Sequence, residues 1–185
     1  MNPVLEAILN RSSEPRLSSP APDSSQLEDI LACAARAPDH ALLRPWRYLV
    51  IEGAGLEALG ELFVEAADDP DDPLEGSREK LLKTASRAPM IIVGICSPKQ
   101  HSKVPFVEQV MSSAVGLGYV LLALESAGFG AVWRTGALAY HPVVHRGLGL
   151  GEGEQISGFL YVGSVVSEKS AVPRPDTSTF VSRWP

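Results

Sequence analysis

The stretch Arg36–Glu52, RAPDHALLRPWRYLVIE, joins a run that builds the fold to a run that can build a site. Its second half, Tyr48-Leu49-Val50-Ile51, is a short apolar series rich in β-formers and predicts a buried strand. Its first half is basic and ring-bearing, with Arg36, His40, Arg44, Trp46 and Arg47. A helix is expected to stop just before Pro38, because the residue ahead of a proline is pushed out of the α region. Polar groups therefore sit on a loop held between a helix and a core strand, a common setting for a site.

Upstream, Pro3–Asn10 carries Val4, Leu5, Ile8 and Leu9 at helical spacing. Arg16 to Pro22 reads as a Ser/Pro connector, and Asp23 or Ser24 can cap a helix with Leu27, Ile30, Leu31 and Ala34 on one stripe. Downstream, Glu57–Ala67 is amphipathic, 68–76 (DDPDDPLEG) is an acidic, proline-broken loop expected to be exposed, and Arg78–Arg87 is a basic helical segment. Met90–Cys96, MIIVGIC, is continuously apolar, the pattern of a strand covered on both faces. Phe106–Ala127 is the longest helical stretch. Its small residues Ser112, Ser113, Ala114, Gly116 and Gly118 would allow close approach of a partner helix or a flat ligand. Gly128-Phe129-Gly130 ends it, and Ala131–Arg134 and Ile156–Val165 follow as third and fourth strands, separated by a short helix after His141-Pro142. Apolar strands alternating with helices predict one domain, a sheet with helices on both faces.

The formal charge of −6 argues against nucleic acid as a partner, which needs a basic face. No basic-then-apolar leader opens the chain, and the apolar run Met111–Gly128 is broken by serines, glycines and Glu125, so no membrane span is expected and the cytoplasm is the expected compartment. Cys33 and Cys96 lie in apolar settings and read as buried thiols, and no Cys/His group has metal-ligand spacing. GxSxG, Walker A, HExxH and a strand-borne GxGxxG are all absent. What remains is a set of arginines and hydroxyls at element ends: Arg11-Ser12-Ser13, Arg36 with His40, and Trp133-Arg134-Thr135. Guanidinium beside hydroxyl suits a phosphorylated ligand. Each arginine taken singly also reads as a helix-end residue offsetting the dipole, and the tryptophans as core.

In combination, N-R-S-S near the N-terminus, R-A-P-D-H before P-W-R-Y-L-V-I-E-G, K-V-P…E-Q at Lys103–Gln109, and G-F-G-A-V-W-R-T-G at Gly128–Gly136 resemble the FMN-dependent nitroreductase family, in its short bacterial NAD(P)H nitroreductase form. The resemblance runs in order through F-L-Y-V-G at Phe159–Gly163. It implies an α+β fold with a mixed central sheet, a homodimer, and FMN at the dimer interface. It assigns Arg11, Ser12 and Ser13 to the flavin, with Trp133, Arg134 and Thr135, and Arg36 and His40 from the other subunit. It assigns the nicotinamide cofactor to Ala123, Leu124, Glu125, Ser126, Ala127 and Gly128. One departure is Ser12, where many relatives carry a second arginine. Arg16, Arg44 and Arg47 are the sequence candidates to replace that charge.

The implied reaction passes hydride from NAD(P)H through FMN to nitroaromatics, quinones or similar acceptors, and no side chain is expected to be a proton-transfer catalyst. The C-terminal tail from about 168, with Phe180 and Trp184, would wrap the partner subunit. Two other classes stay open: a flavin-binding or flavin-fragmenting protein of the same fold, and a cofactor-free interaction domain.

Overall fold

The computed structural model describes residues 2–167 and 173–184; the first part of the expected C-terminal tail, 168–172, lies outside them. Its centre is the apolar run MIIVGIC. All seven residues of Met90–Cys96 are buried, and the strand lies between Trp46–Glu52 and Gln155–Val165. In chain order the strands are β1 (Leu17–Ser18), β2 (Trp46–Glu52), β3 (Met90–Cys96), β4 (Gly130–Arg134) and β5 (Gln155–Val165). The helices are α1 (Pro3–Asn10), α2 (Ser24–Ala34), α3 (Ala54–Ala67), α4 (Arg78–Ala85), α5 (Phe106–Ser126) and α6 (Pro142–Gly147).

Alternation along β3 divides the core in two. Ile91, Val93 and Ile95 face α3, α4 and α6, while Met90 and Ile92 face α2 and α5. Helices thus cover both faces, as the continuous apolar run requires. The first face includes the edge-on pair Phe63 and Phe159, with ring centroids 5.9 Å apart. On the second, Leu117, Val120, Leu121 and Leu124 of α5 are buried against the sheet. Among the described residues α5 alone has the length and hydropathy to cross a bilayer, but this packing makes it a core helix.

Several expectations are corrected. The sheet is not mixed: β2 with β3, β3 with β5, β4 with β5 and β1 with β5 are all antiparallel. The Ser/Pro connector contains β1, whose Leu17 and Ser18 pair with Val165 and Ser164; two residues are too few to show a side-chain period. Helix α4 stops at Ala85, which leaves Arg87 in the turn before β3. Of the two expected caps of α2 the structure uses Asp23, in a reciprocal box with Gln26. Gly116 of α5 serves a close contact within the chain, where a Cβ would stand 2.8 Å from the Tyr48 hydroxyl and 3.4 Å from the Ala34 carbonyl of α2, whereas a Cβ at Gly118 would meet nothing within 4 Å.

The apolar stripe of α1 is the sharpest departure. Val4, Leu5, Ile8 and Leu9 are each at least half exposed, and no residue of α1 is buried. Val107 and Met111 of α5 are exposed as well. The acidic loop at 68–76 is tied down: the buried His141 ring donates through Nε2 to the Asp72 carbonyl at 2.9 Å and accepts at Nδ1 from Val143 N–H.

Candidate functional site

The Trp133-Arg134-Thr135 segment ends β4, and the two-residue period sends its side chains to opposite faces of the sheet. Trp133 turns toward α5. Its indole N–H donates to the Ser157 carbonyl at 3.2 Å, and the Ser157 hydroxyl meets the Ser113 hydroxyl of α5 at 2.8 Å. Ser157 is available because β5 carries one extra residue there: Gly158 pairs with Gly94 and Ile156 with Ile95, so Ser157 bulges from the ladder.

Arg134 turns the other way, over the ring of Tyr161, 5.8 Å from its centroid. It lines a cavity of about 350 Å³ with Thr84, Arg87, Thr135, Gly136 and Tyr161. The Arg134 Nε is buried and has no hydrogen-bond partner. Burial pushes the Tyr161 phenol up, and the positive charges of Arg134 and Arg87 partly offset that. A buried guanidinium nitrogen without a protein partner is uncommon, and it belongs to a side chain that lines this cavity.

Arg11, Ser12 and Ser13 follow α1 and run toward the free edge of β4, where Glu14 N–H donates to the Ala131 carbonyl at 2.9 Å. The Ser12 hydroxyl is engaged by the Glu14 carboxylate. The Arg11 carbonyl accepts from the guanidinium of Arg174, at 2.5 Å. The segment that follows the arginine-serine motif therefore meets β4 near its start, at Ala131.

His40 is brought instead to the first turn of α5, and Arg36 follows the end of α2, its N–H donating to the Cys33 carbonyl. The His40 Nδ1 lies 2.8 Å from the Glu108 carboxylate, and Ser112 donates to the Pro38 carbonyl at 2.7 Å. This loop holds Ala41, Leu42 and Arg44 at φ of 65°, 52° and 50°, the only non-glycine residues with positive φ among those described. Backbone held in the left-handed region without glycine is uncommon and collects at ligand-binding loops. The Asp39 carboxylate fixes the turn by accepting from Arg44 N–H at 2.7 Å. Nearby, the Tyr48 hydroxyl is buried without a partner and burial pushes it up to about 12. Sequence reading did not single out the Tyr48 hydroxyl, since an apolar run gives no sign of which member carries an orphaned hydroxyl.

Of the arginines that could replace the charge missing at position 12, Arg47 is committed elsewhere. It grips Glu154 with Nε to Oε1 at 2.9 Å and Nη2 to Oε2 at 2.6 Å. That hydrogen-bonded pair holds the Glu154 carboxyl down from 4.5 to about 2. A carboxyl depressed on folding stabilises the protein above its unfolded value and loses that contribution as pH falls through its folded value. The cost of Glu154→Gln is therefore expected to be about 2 kcal/mol at pH 7. It should fade as pH drops from about 4.5 toward about 2. Urea unfolding of both proteins across that range checks it, and a pH-independent difference would sink it.

Ala123 to Gly128 forms the end of α5 and the turn after it. Ala123, Ser126 and Ala127 line an apolar groove of about 820 Å³ against α1, with Val4 and Ile8 opposite. No lysine or arginine lines it. Lys99 to Pro105 and the start of α5 line a separate depression, pinned by the buried Gln109, whose amide bonds both the N–H and the carbonyl of Lys99.

Comparison with known proteins fits this geometry. The sequence matches the Nitroreductase family over residues 8–164. It is 37% identical over 183 residues to the protein named "Putative NAD(P)H nitroreductase YdjA" of Escherichia coli (strain K12), covering 97% of this chain and 98% of that one. The fold is similar to the crystal structure of a nitroreductase-like family protein from Bacillus cereus, with a TM-score of 0.85 at 22% identity over 100% of this chain and 97% of that one. It is also similar to the FMN and NADPH-dependent nitroreductase NfnB of sphigopyxis sp. strain HMH, with a TM-score of 0.78 at 19% identity over 98% and 99%. The whole-length match to YdjA and the family match over nearly all of the sheet and helices place this chain in the nitroreductase family of oxidoreductases.

Proposed function

We propose that the protein is an FMN-dependent NAD(P)H oxidoreductase, one flavin-binding domain over residues 1–185, acting on nitroaromatics, quinones or similar electron-poor acceptors. The observation that carries the reading is Arg134, whose buried Nε has no protein partner and whose cavity is lined by hydroxyls and a second arginine with no carboxylate. Those residues fit an anionic cofactor, and the structural neighbour NfnB is described as FMN- and NADPH-dependent. Bound FMN would supply two-electron chemistry, linking a nicotinamide donor to the acceptor.

The chain's own residues then bind and orient. Arg134 and Thr135 offer donors to the flavin's phosphate, and Arg11, Ser12 and Ser13 are assigned to the flavin with them. Trp133, held by the Ser157 carbonyl, gives a fixed aromatic surface on the opposite face. Arg36 and His40 are assigned to the flavin of the partner subunit, on a loop braced by Glu108 and Ser112. Ala123 to Gly128 are assigned to the nicotinamide cofactor; their groove supplies apolar area, which suits a ring better than phosphates.

A homodimer is supported by two unpaired apolar surfaces, the stripe of α1 and the exposed Val107 and Met111 of α5. Phe180 and Trp184 of the tail are exposed in the single chain and are assigned to docking on the partner. The proposed compartment is the cytoplasm, in line with two free cysteines.

The test is an absorbance spectrum of purified protein before and after anaerobic NADH, then NADPH, with light scattering alongside. Flavin bands that bleach, in a dimer, are expected. Bands that persist would move the reading to flavin binding without reductase activity. No flavin uptake even with added FMN would overturn the Arg11, Arg36 and Arg134 assignments, and a monomer would remove the dimer.

A further inference from the structure

Arg87 reads in sequence as the end of a basic helix, but α4 stops two residues earlier and the turn into β3 carries Arg87 to the cavity that Arg134 faces. The two guanidiniums share that space with Thr84, Thr135, the Gly136 backbone and Tyr161, over a floor of Phe63, Leu138 and Phe159, and no aspartate or glutamate lines it. Neither arginine makes an ion pair among the described residues. Both lie close enough to Tyr161 to act on its phenol.

Two like charges at one cavity repel unless an anion is shared between them, and the repulsion then turns into a clamp. A phosphate monoester carries close to two negative charges at neutral pH and several acceptor oxygens, so two guanidiniums and two threonine hydroxyls match it. We propose that Arg87, with Thr84, completes a phosphate-monoester site opposite Arg134 and Thr135, and that the monoester is the one on FMN. This rests on the flavin reading above and adds to it a binding residue from an element that carries none of the motif residues. It also supplies a second positive charge in a chain where Ser12 stands at the usual arginine position and Arg47 is bound to Glu154.

The test compares Arg87→Gln and Arg87→Lys with wild type in titrations of apoprotein with FMN and with riboflavin, which lacks the phosphate, read by flavin fluorescence. Arg87→Gln is expected to weaken FMN about ten- to hundredfold and leave riboflavin unchanged, with Arg87→Lys between the two. An unchanged FMN affinity would overturn the inference. So would equal losses for both flavins, which mark a merely structural role. If wild type takes up neither flavin, it is the parent reading that has failed. Inorganic phosphate then tests the anion site alone. A rise in Tm over chloride at matched ionic strength, present in wild type and absent in Arg87→Gln, upholds it; the same response in both proteins refutes it.

Discussion

The Arg134→Met protein is expected to purify without flavin and to be at least as stable as wild type. Both halves follow from one observation: the Arg134 Nε is buried with no partner. A buried donor without an acceptor carries its desolvation cost uncompensated, of order 1–3 kcal/mol, and an unbranched apolar side chain of similar length removes that cost. The loss on the other side is the contact of the guanidinium with the Tyr161 ring at 5.8 Å, worth about 0.5–1 kcal/mol at a partly exposed site. The balance favours the variant by up to about 2 kcal/mol, or leaves it near neutral. Binding moves the opposite way. Charge-assisted bonds to a phosphate are each worth about 1.5–3 kcal/mol, so FMN affinity should fall about a hundredfold. Thermal unfolding without ligand and a flavin titration decide it. A variant that loses stability and keeps its flavin would mean that Arg134 is a structural residue.

Gly158→Ala is expected to cost about 3 kcal/mol, through Trp133 alone. A Cβ at Gly158 would stand 2.0 Å from the indole Nε1 and 2.6 Å from Cδ1, both inside any permitted contact. The indole cannot swing clear cheaply, because its N–H is fixed to the Ser157 carbonyl and its ring packs against the α5-side core. For a domain of 185 residues that cost corresponds to a fall in Tm of about 6–12 °C. Trp133→Leu should relieve most of it, so the double variant Gly158→Ala with Trp133→Leu should be more stable than the two single costs predict, by about 1 kcal/mol or more. Strict additivity would refute the clash, as would an alanine variant with unchanged Tm.

The candidate residues were legible as arginine, histidine and hydroxyl groups at element ends, although each arginine alone also reads as a helix-end charge. The loop from Arg36 to His40, the end of β4 and the segment after α1 were read as element ends, and the structure puts them at a helix end, a strand end and a helix end. Their partition was not legible. Trp133 and Arg134 are neighbours in sequence yet lie on opposite faces, and a motif written as a string hides that alternation. Arg87 was hidden for a similar reason: a helix that ends two residues early redirects a side chain, and frayed helix ends leave little trace in composition.

By itself the sequence determined the six α-helices and four of the five strands among the described residues, and which strand is central. MIIVGIC is apolar at every position and so must be covered on both faces, and Asp23 with Gln26 can close a capping box from local chemistry alone. Tertiary structure decided the rest. The antiparallel ladder, the bulge at Ser157, the pairing of Arg47 with Glu154 across 107 positions, and the cavity shared by Arg87 and Arg134 all join residues far apart in the chain. Local propensity acts over a few residues and carries no information about such pairs. They are selected when the two faces of β3 find their helices: the strand is buried on both sides, so its two flanking ladders and the helices over them must come together around it.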